Sequence, residues 1–142
     1  MVDVTAAVIV RGGSVLLCQR PQGKSCAGLW EFPGGKVESG ETLAACLARE
    51  CREELGVYLR VGRTLCAVTR GELRITFLLA EIAQGQPQLR EHSAMIWATP
   101  EQARAYALCP SDREALPFLD LEALCAQPDA PDTDDENAED AP

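Results

Sequence analysis

Three glutamates, Glu50, Glu53 and Glu54, stand at i, i+3 and i+4 in the stretch Arg49-Glu50-Cys51-Arg52-Glu53-Glu54. On a helix those offsets put three carboxylates in one patch. Such a patch repels itself, and a divalent cation with hard oxygen ligands relieves the repulsion. A helix is what the surrounding residues predict. Thr42 to Leu55 contains no Gly or Pro, its leucines recur at helical spacing, and Gly56 follows as at a helix C-terminus. At about 100° per residue, Leu43, Ala44, Leu47, Ala48, Cys51 and Leu55 share an arc of roughly 140°, the expected core face. Glu54 projects between Leu43 and Leu47, about 20° from each. A carboxylate there is costly to bury without a partner. The bland alternative is a solvated helix with salt bridges such as Arg49–Glu53 at i, i+4, each worth about a few tenths of a kcal/mol.

The elements that must hold this helix are short. Val4–Val10 reads as a strand, Arg11–Ser14 as a hairpin turn and Val15–Cys18 as the returning strand. Gln19–Gly28 is a polar loop, and Leu29–Phe32 a short strand stopped by Pro33-Gly34-Gly35. Beyond the helix, Val57–Val68 is a strand with a bend at Gly62, and Leu73–Ile82 another. Gln84–His92 is a polar connection, and Met95–Ala98 a brief strand. Thr99 caps a short helix with Pro100 at its first position. Ser111, with Glu114 three residues on, has the spacing to cap a last helix, which Pro117 limits or kinks. The order β-β-β-α-β-β-β-α-α is an α+β domain with a mixed or antiparallel sheet.

The chain has 142 residues, 22 acidic and 13 basic, for a net charge of -9. That is one domain, assigned to residues 1–126. Residues 127–142 hold seven acids and no base, whereas 1–126 hold 15 acids against 13 bases. The acidic stretch has no large apolar side chain and is expected to be a disordered tail. The charge argues against a nucleic-acid polymer as partner. Seven cysteines, an odd number with no C-x-x-C pair, support neither a zinc site nor a disulfide framework, and they suit a reducing compartment. Val4–Val10 is too short for a signal or a membrane span, so a cytoplasmic protein is expected. The only histidine, His92, has no partner beside it in sequence and is expected to be a loop residue, which leaves no Ser/His or Cys/His pair.

The full stretch Gly35-x5-Glu41-x7-Arg49-Glu50-Cys51-x-Glu53-Glu54-x-Gly56-Val57 resembles the Nudix box, G-x5-E-x7-R-E-U-x-E-E-x-G-U, where U is a bulky aliphatic residue. Every fixed position matches. Cys51 is the one departure, small but readily buried. The resemblance extends over residues 2 to about 125. It implies the Nudix fold, a mixed β-sheet sandwiched between α-helices. It also implies hydrolysis of a nucleoside diphosphate linked to another group, with magnesium or manganese. By motif position, Glu50, Glu53 and Glu54 would ligate the metal and Gly35 would offer its carbonyl. Arg49 would orient the glutamates, and Glu41 would support the loop before the helix.

Outside the box the chain resembles the MutT-like branch, the 8-oxo-dGTP diphosphatases and the related CTP pyrophosphohydrolase. Gln19-Arg20, Leu29-Trp30-Glu31-Phe32-Pro33-Gly34-Gly35-Lys36-Val37-Glu38 and Pro110-Ser111-Asp112 carry that likeness. It implies that Arg20 and Lys36 face phosphate and that Phe32 lines the base pocket. Glu91, six residues before Trp97, would bind metal or act as general base, a role for which Glu53 is the other candidate. A surface arginine at Arg20 and an ordinary core residue at Phe32 are the plain alternatives. Asp112 stands where the MutT archetype has a base-reading asparagine, and aspartate matches the CTP-hydrolysing relative. As an ionised acceptor it could take hydrogen bonds from N1–H and the exocyclic amine of a guanine, whereas cytosine offers only its amine. Favoured placement in the first turn of a helix is its plain alternative.

The leading expectation is a magnesium-dependent nucleoside triphosphate diphosphohydrolase, with 8-oxo-dGTP as substrate and nucleotide-pool sanitation as role. Hydrolysis of CTP, dCTP or 5-methyl-dCTP is the alternative within the enzyme class. A nucleotide-sensing domain without turnover is the alternative outside it. A monomer and a homodimer both remain open.

Overall fold

The computed structural model describes residues 1–128; the acidic stretch from Asp129 onward lies outside the described residues. Eleven elements follow in order: β1 (Val2–Arg11), β2 (Ser14–Gln19), β3 (Trp30–Glu31), β4 (Gly34–Lys36), α1 (Leu43–Leu55), β5 (Tyr58–Arg70), β6 (Leu73–Gln84), β7 (Ala94–Ala98), α2 (Pro100–Ala105), α3 (Pro110–Leu119) and α4 (Leu121–Ala126). No helix among them is long and apolar enough to cross a membrane.

The sheet is mixed. Its backbone path runs β3-β2-β1-β6-β5, with β4 on β1 and β7 on β2. The central pair is parallel: Val2–Ile9 of β1 run alongside Leu73–Ala80 of β6. The other pairings are antiparallel. The long β5 bends where expected, with register shifts against β6 between Val61 and Cys66. Alternation along β1 sorts its side chains between two cores. Ala7 and Ile9 join Leu16, Leu47, Cys51 and Leu55 beneath α1. Ala6 and Val8 join Phe32, Phe77, Ala115, Leu119 and Leu124 on the face covered by α2–α4. The sheet is therefore sandwiched between helices, the expected architecture.

Four local readings change. Gly34–Lys36, read as a strand stop, is itself a strand on Val4–Ala6. Gly34 is required there, because a Cβ would fall 2.0 Å from the Thr5 carbonyl oxygen. Ser111 is not a cap: α3 starts at Pro110 behind Cys109, which makes no side-chain cap bond. Pro117 sits inside α3 near its end, and the break falls instead at Asp120, left-handed at φ 52°, whose carboxylate caps α4. On α1, Ala44 is exposed and Cys46 is buried, because β4 packs against the first turns of the helix.

Candidate active site

Thr42 starts α1 by accepting the Ala45 N–H (3.1 Å), and Gly56 ends it in the left-handed region at φ 72°. This register fixes where the carboxylates emerge. Arg49 is their hub. Its Nε and Nη2 make a fork on Glu41 at 2.6 and 3.0 Å, and its Nη1 reaches Glu50 Oε1 at 2.8 Å and Glu53 Oε1 at 3.1 Å. Nη2 also donates to the Lys36 carbonyl at 3.1 Å. Glu41 in turn accepts the Glu38 N–H at 2.8 Å, closing the loop before the helix. Bonding to Arg49, then to Glu38, pulls the Glu41 carboxyl down to about 2.

Glu50 and Glu54 are under the opposite pressure. Burial, then the charges of Glu53 and Glu91, raise the Glu50 carboxyl against the pull of Arg49. Glu54 is 9% exposed, and its Oε1 is buried without a hydrogen-bond partner. Burial, followed by the charges of Glu50, Glu91 and Glu31, pushes its carboxyl up to about 9. Glu91, on the β6–β7 connection that packs against the C-terminal end of α1, is thus brought to Glu50 and Glu54. An unpartnered oxygen among mutually repelling carboxylates is costly. A hard divalent cation satisfies the oxygen and the charge together, so the donor set fits magnesium. Among the described residues no three Asp, Glu, His or Cys side chains are already drawn up as a cage. Glu50 and Glu53 are instead turned onto Arg49.

Gly35 lies directly under Glu50: a Cβ there would come within 2.0 Å of Glu50 Oε2. Gly35→Ala is therefore expected to displace the carboxylate and weaken manganese binding by about tenfold or more, read by titration. The strand should survive, because the clashing atom belongs to a side chain.

Beside the acids opens a cleft of about 390 Å³. Arg20, Phe32, Gly35, Lys36 and Asp112 all line it, so the structure gathers the residues marked for substrate into one wall set. Arg20 is not a loose surface arginine. Its Nη1 holds Glu31 at 3.2 Å and its Nε the Ser25 carbonyl at 2.6 Å. Phe32 is both core and lining: it is 2% exposed and packs edge-on to Phe77 at 6.0 Å. Asp112 is 6% exposed, and its Oδ1 accepts the Phe32 N–H at 3.0 Å. Burial lifts its carboxyl to about 7; the Phe32 bond opposes this, and Glu31 reinforces it.

A raised carboxyl costs stability above the unfolded-state pKa near 4. The penalty is absent below about pH 4, accumulates as pH rises to about 7, and is constant beyond. Asp112→Asn keeps an acceptor for Phe32 without the charge. It is expected to raise stability by about 2 kcal/mol at pH 8 and to leave it unchanged at pH 3.5, in urea melts at both pH values.

Two residues of the site escaped the sequence reading. His92 is a loop residue as expected, on the β6–β7 connection, but it is 8% exposed and its Nε2 lies 2.9 Å from Glu31 Oε2. Glu31 therefore joins Arg20 to His92. Its only signal was a charged residue between two aromatics on a short strand; the partner is 61 positions away.

The NUDIX domain model matches residues 1–119. The chain belongs to the Nudix family. Among Nudix relatives, the CTP pyrophosphohydrolase of Escherichia coli K12 is 44% identical over 84% of this chain and 90% of its own length. The putative 8-oxo-dGTP diphosphatase 2 of Mycobacterium tuberculosis is 38% identical over 78% and 82%. The solution structure of the E. coli ORF135 protein superposes with a TM-score of 0.74 at 41% identity, covering 89% of this chain and 91% of that one. The MutT Nudix hydrolase of Burkholderia pseudomallei gives 0.70 at 29% identity, covering 83% and 97%. This Nudix domain is a hydrolase of the MutT-like type, with mixed sheet and flanking helices as expected.

Proposed function

We propose that this Nudix hydrolase is a magnesium-dependent diphosphohydrolase converting nucleoside triphosphates, 8-oxo-dGTP first among them, to the monophosphate and pyrophosphate. The observation that carries this reading is a junction at Gly35: it lies under Glu50 of the acid cluster and also lines a cleft with three cations, Arg20, Lys36 and Arg70, an aromatic wall and the buried Asp112 carboxyl.

Bound magnesium would neutralise the phosphoryl oxygens that otherwise repel a nucleophile. The chain supplies the rest. Glu50, Glu53, Glu54 and Glu91, with the Gly35 carbonyl, are the oxygens that would hold the ion. Arg49 keeps Glu50 and Glu53 aimed while Glu41 takes up its other nitrogens. Arg20 and Lys36 meet the phosphates. Water attacks a phosphorus of the α–β anhydride, the bond from that phosphorus to the bridging oxygen breaks, and the products are the monophosphate and pyrophosphate. The water proton goes to a solvent-facing carboxylate of the cluster; Glu53 and Glu91 are the exposed ones, whereas Glu54 is buried.

Above pH 7 an ionised Asp112 accepts two donors, the pattern of a guanine edge. Cytosine is the second reading, and a specific observation favours it: burial lets Asp112 keep its proton near neutrality. A protonated carboxyl donates to N3 and accepts from the 4-amine.

The test is turnover with magnesium, read as pyrophosphate release from 8-oxo-dGTP, dGTP, CTP, dCTP and 5-methyl-dCTP and as AMP release from ADP-ribose, compared as kcat/KM. A lead for 8-oxo-dGTP supports nucleotide-pool sanitation, and a lead for cytosine nucleotides replaces it with pyrimidine turnover. Binding without any turnover would mark a sensor and overturn the enzyme reading.

A further inference from the structure

His92 takes no part in the chemistry proposed above, yet it is the most buried residue of the β6–β7 connection. Its side chain is only 4% exposed. An ionised carboxylate only accepts, so the 2.9 Å contact to Glu31 is made by Nε2–H of the imidazole. Nδ1 is buried with no partner. Burying a ring nitrogen without a partner is a cost that the Glu31 bond must offset. The next residue repeats the anchorage, since the Ser93 N–H donates to the Gln19 carbonyl at 3.0 Å and its hydroxyl to Gln19 Oε1 at 3.2 Å. Gln19 and Glu31 lie on β2 and β3, which pair through Gln19–Trp30 and Cys18–Glu31. The segment that carries Glu91 is thus pinned to the sheet on its C-terminal side by two side chains and one backbone bond.

Glu31 is bound from the other side by Arg20, at 3.2 and 3.3 Å. One carboxylate therefore joins two parts of the site. Through Arg20 it reaches the wall of the cleft, and through His92 the loop that brings Glu91 to Glu50 and Glu54. Glu91 itself is exposed and stands near the end of a connection without regular structure, residues 85–93. On its N-terminal side the connection is held to α1, by the Gln88 N–H on the Leu55 carbonyl at 2.8 Å and by Arg90 Nη1 on the Arg52 carbonyl at 3.2 Å, and the His92 bond is the adjoining restraint on the other side of Glu91.

We propose that His92 is a positioning residue whose bond to Glu31 sets where Glu91 stands in the acid cluster. This rests on the hydrolase reading above. The role accounts for a buried histidine in a polar loop and for the direction of its one bond. It also makes the effect of His92 conditional on Glu91, which a purely structural histidine is not.

His92→Leu keeps the bulk and removes the bond; His92→Gln restores a donor. The expected result for His92→Leu is a loss of kcat of about tenfold or more, with KM within about twofold, and weaker manganese binding by EPR titration. His92→Gln should recover most of both. In a Glu91→Gln background, His92→Leu should cost less than about twofold further. Equal losses in both backgrounds, a loss confined to KM, or unchanged manganese affinity would each overturn the proposal. If His92→Leu does not fold, His92→Asn, whose shorter amide does not span to Glu31, takes its place. A wild-type protein that binds manganese but hydrolyses none of the nucleotides sinks the hydrolase reading instead. The manganese comparison still decides the positioning role.

Discussion

Glu53→Gln is expected to reduce magnesium-dependent pyrophosphate release by at least about a hundredfold while leaving the melting temperature within about two degrees. The two halves of that expectation have separate causes. Glu53 is the most exposed acid of the α1 cluster, with 56% of its side chain open to solvent, and its protein bond is to Arg49 at 3.1 Å. An exposed i, i+4 pair contributes little to stability, so an amide in its place disturbs little. Arg49 also stays anchored through Glu41 and Glu50. The proposed chemistry, however, loses an anionic oxygen ligand and one of the two exposed proton acceptors. Thermal melts and turnover on the same preparation check both halves. Activity near wild type would remove Glu53 from the metal site.

The second large effect concerns base choice. The ratio of kcat/KM for dCTP over 8-oxo-dGTP is expected to fall by about tenfold between pH 6 and pH 8.5 as Asp112 loses its proton. The direction follows from burial, which raises the Asp112 carboxyl to about 7. Below that value the acid form donates and accepts, matching cytosine; above it the carboxylate only accepts, matching guanine. The neighbouring groups are fixed by bonds of their own: Arg20 is held by Glu31, and Glu31 also by His92. Taking a ratio of two substrates cancels changes in the shared metal site. Asp112→Ala should flatten the ratio across the range without altering the magnesium requirement. A flat ratio in the wild type, or an unchanged slope in Asp112→Ala, rejects Asp112 as the reader of the base.

What could be read in the sequence was what is local. The box lies within residues 35–57, and the caps Gly56, Thr99 and Pro100 act over one turn, so both follow from nearest-neighbour chemistry. Gly34–Lys36 was missed because glycine has weak strand preference; its presence in β4 reflects the contact with Thr5, which no local pattern encodes. The break at Asp120 was missed for a similar reason. Proline is the usual breaker, but Pro117 lies where α3 is already ending, and a left-handed aspartate turns the chain into α4. In the site, the acids of α1 were legible together because one helix presents them. The Glu31–His92 bond joins two loops' worth of sequence, and only the sheet brings its ends together.

The parallel pairing of β1 with β6 also bears on how the molecule comes to exist. Residues 2–9 meet residues 73–80, and the whole box lies inside the loop that this pairing closes. Closing such a loop costs entropy before any contact repays it, and high contact order slows folding. The α1 helix can form early from its own turns. Glu54, however, acquires its buried setting only once β1, β2 and the β6–β7 connection are in place. A chain emerging from the ribosome thus carries Glu50, Glu53 and Glu54 in water until the β6–β7 connection with Glu91 has been made and docked, and its grip on a cation arrives only with that long-range closure.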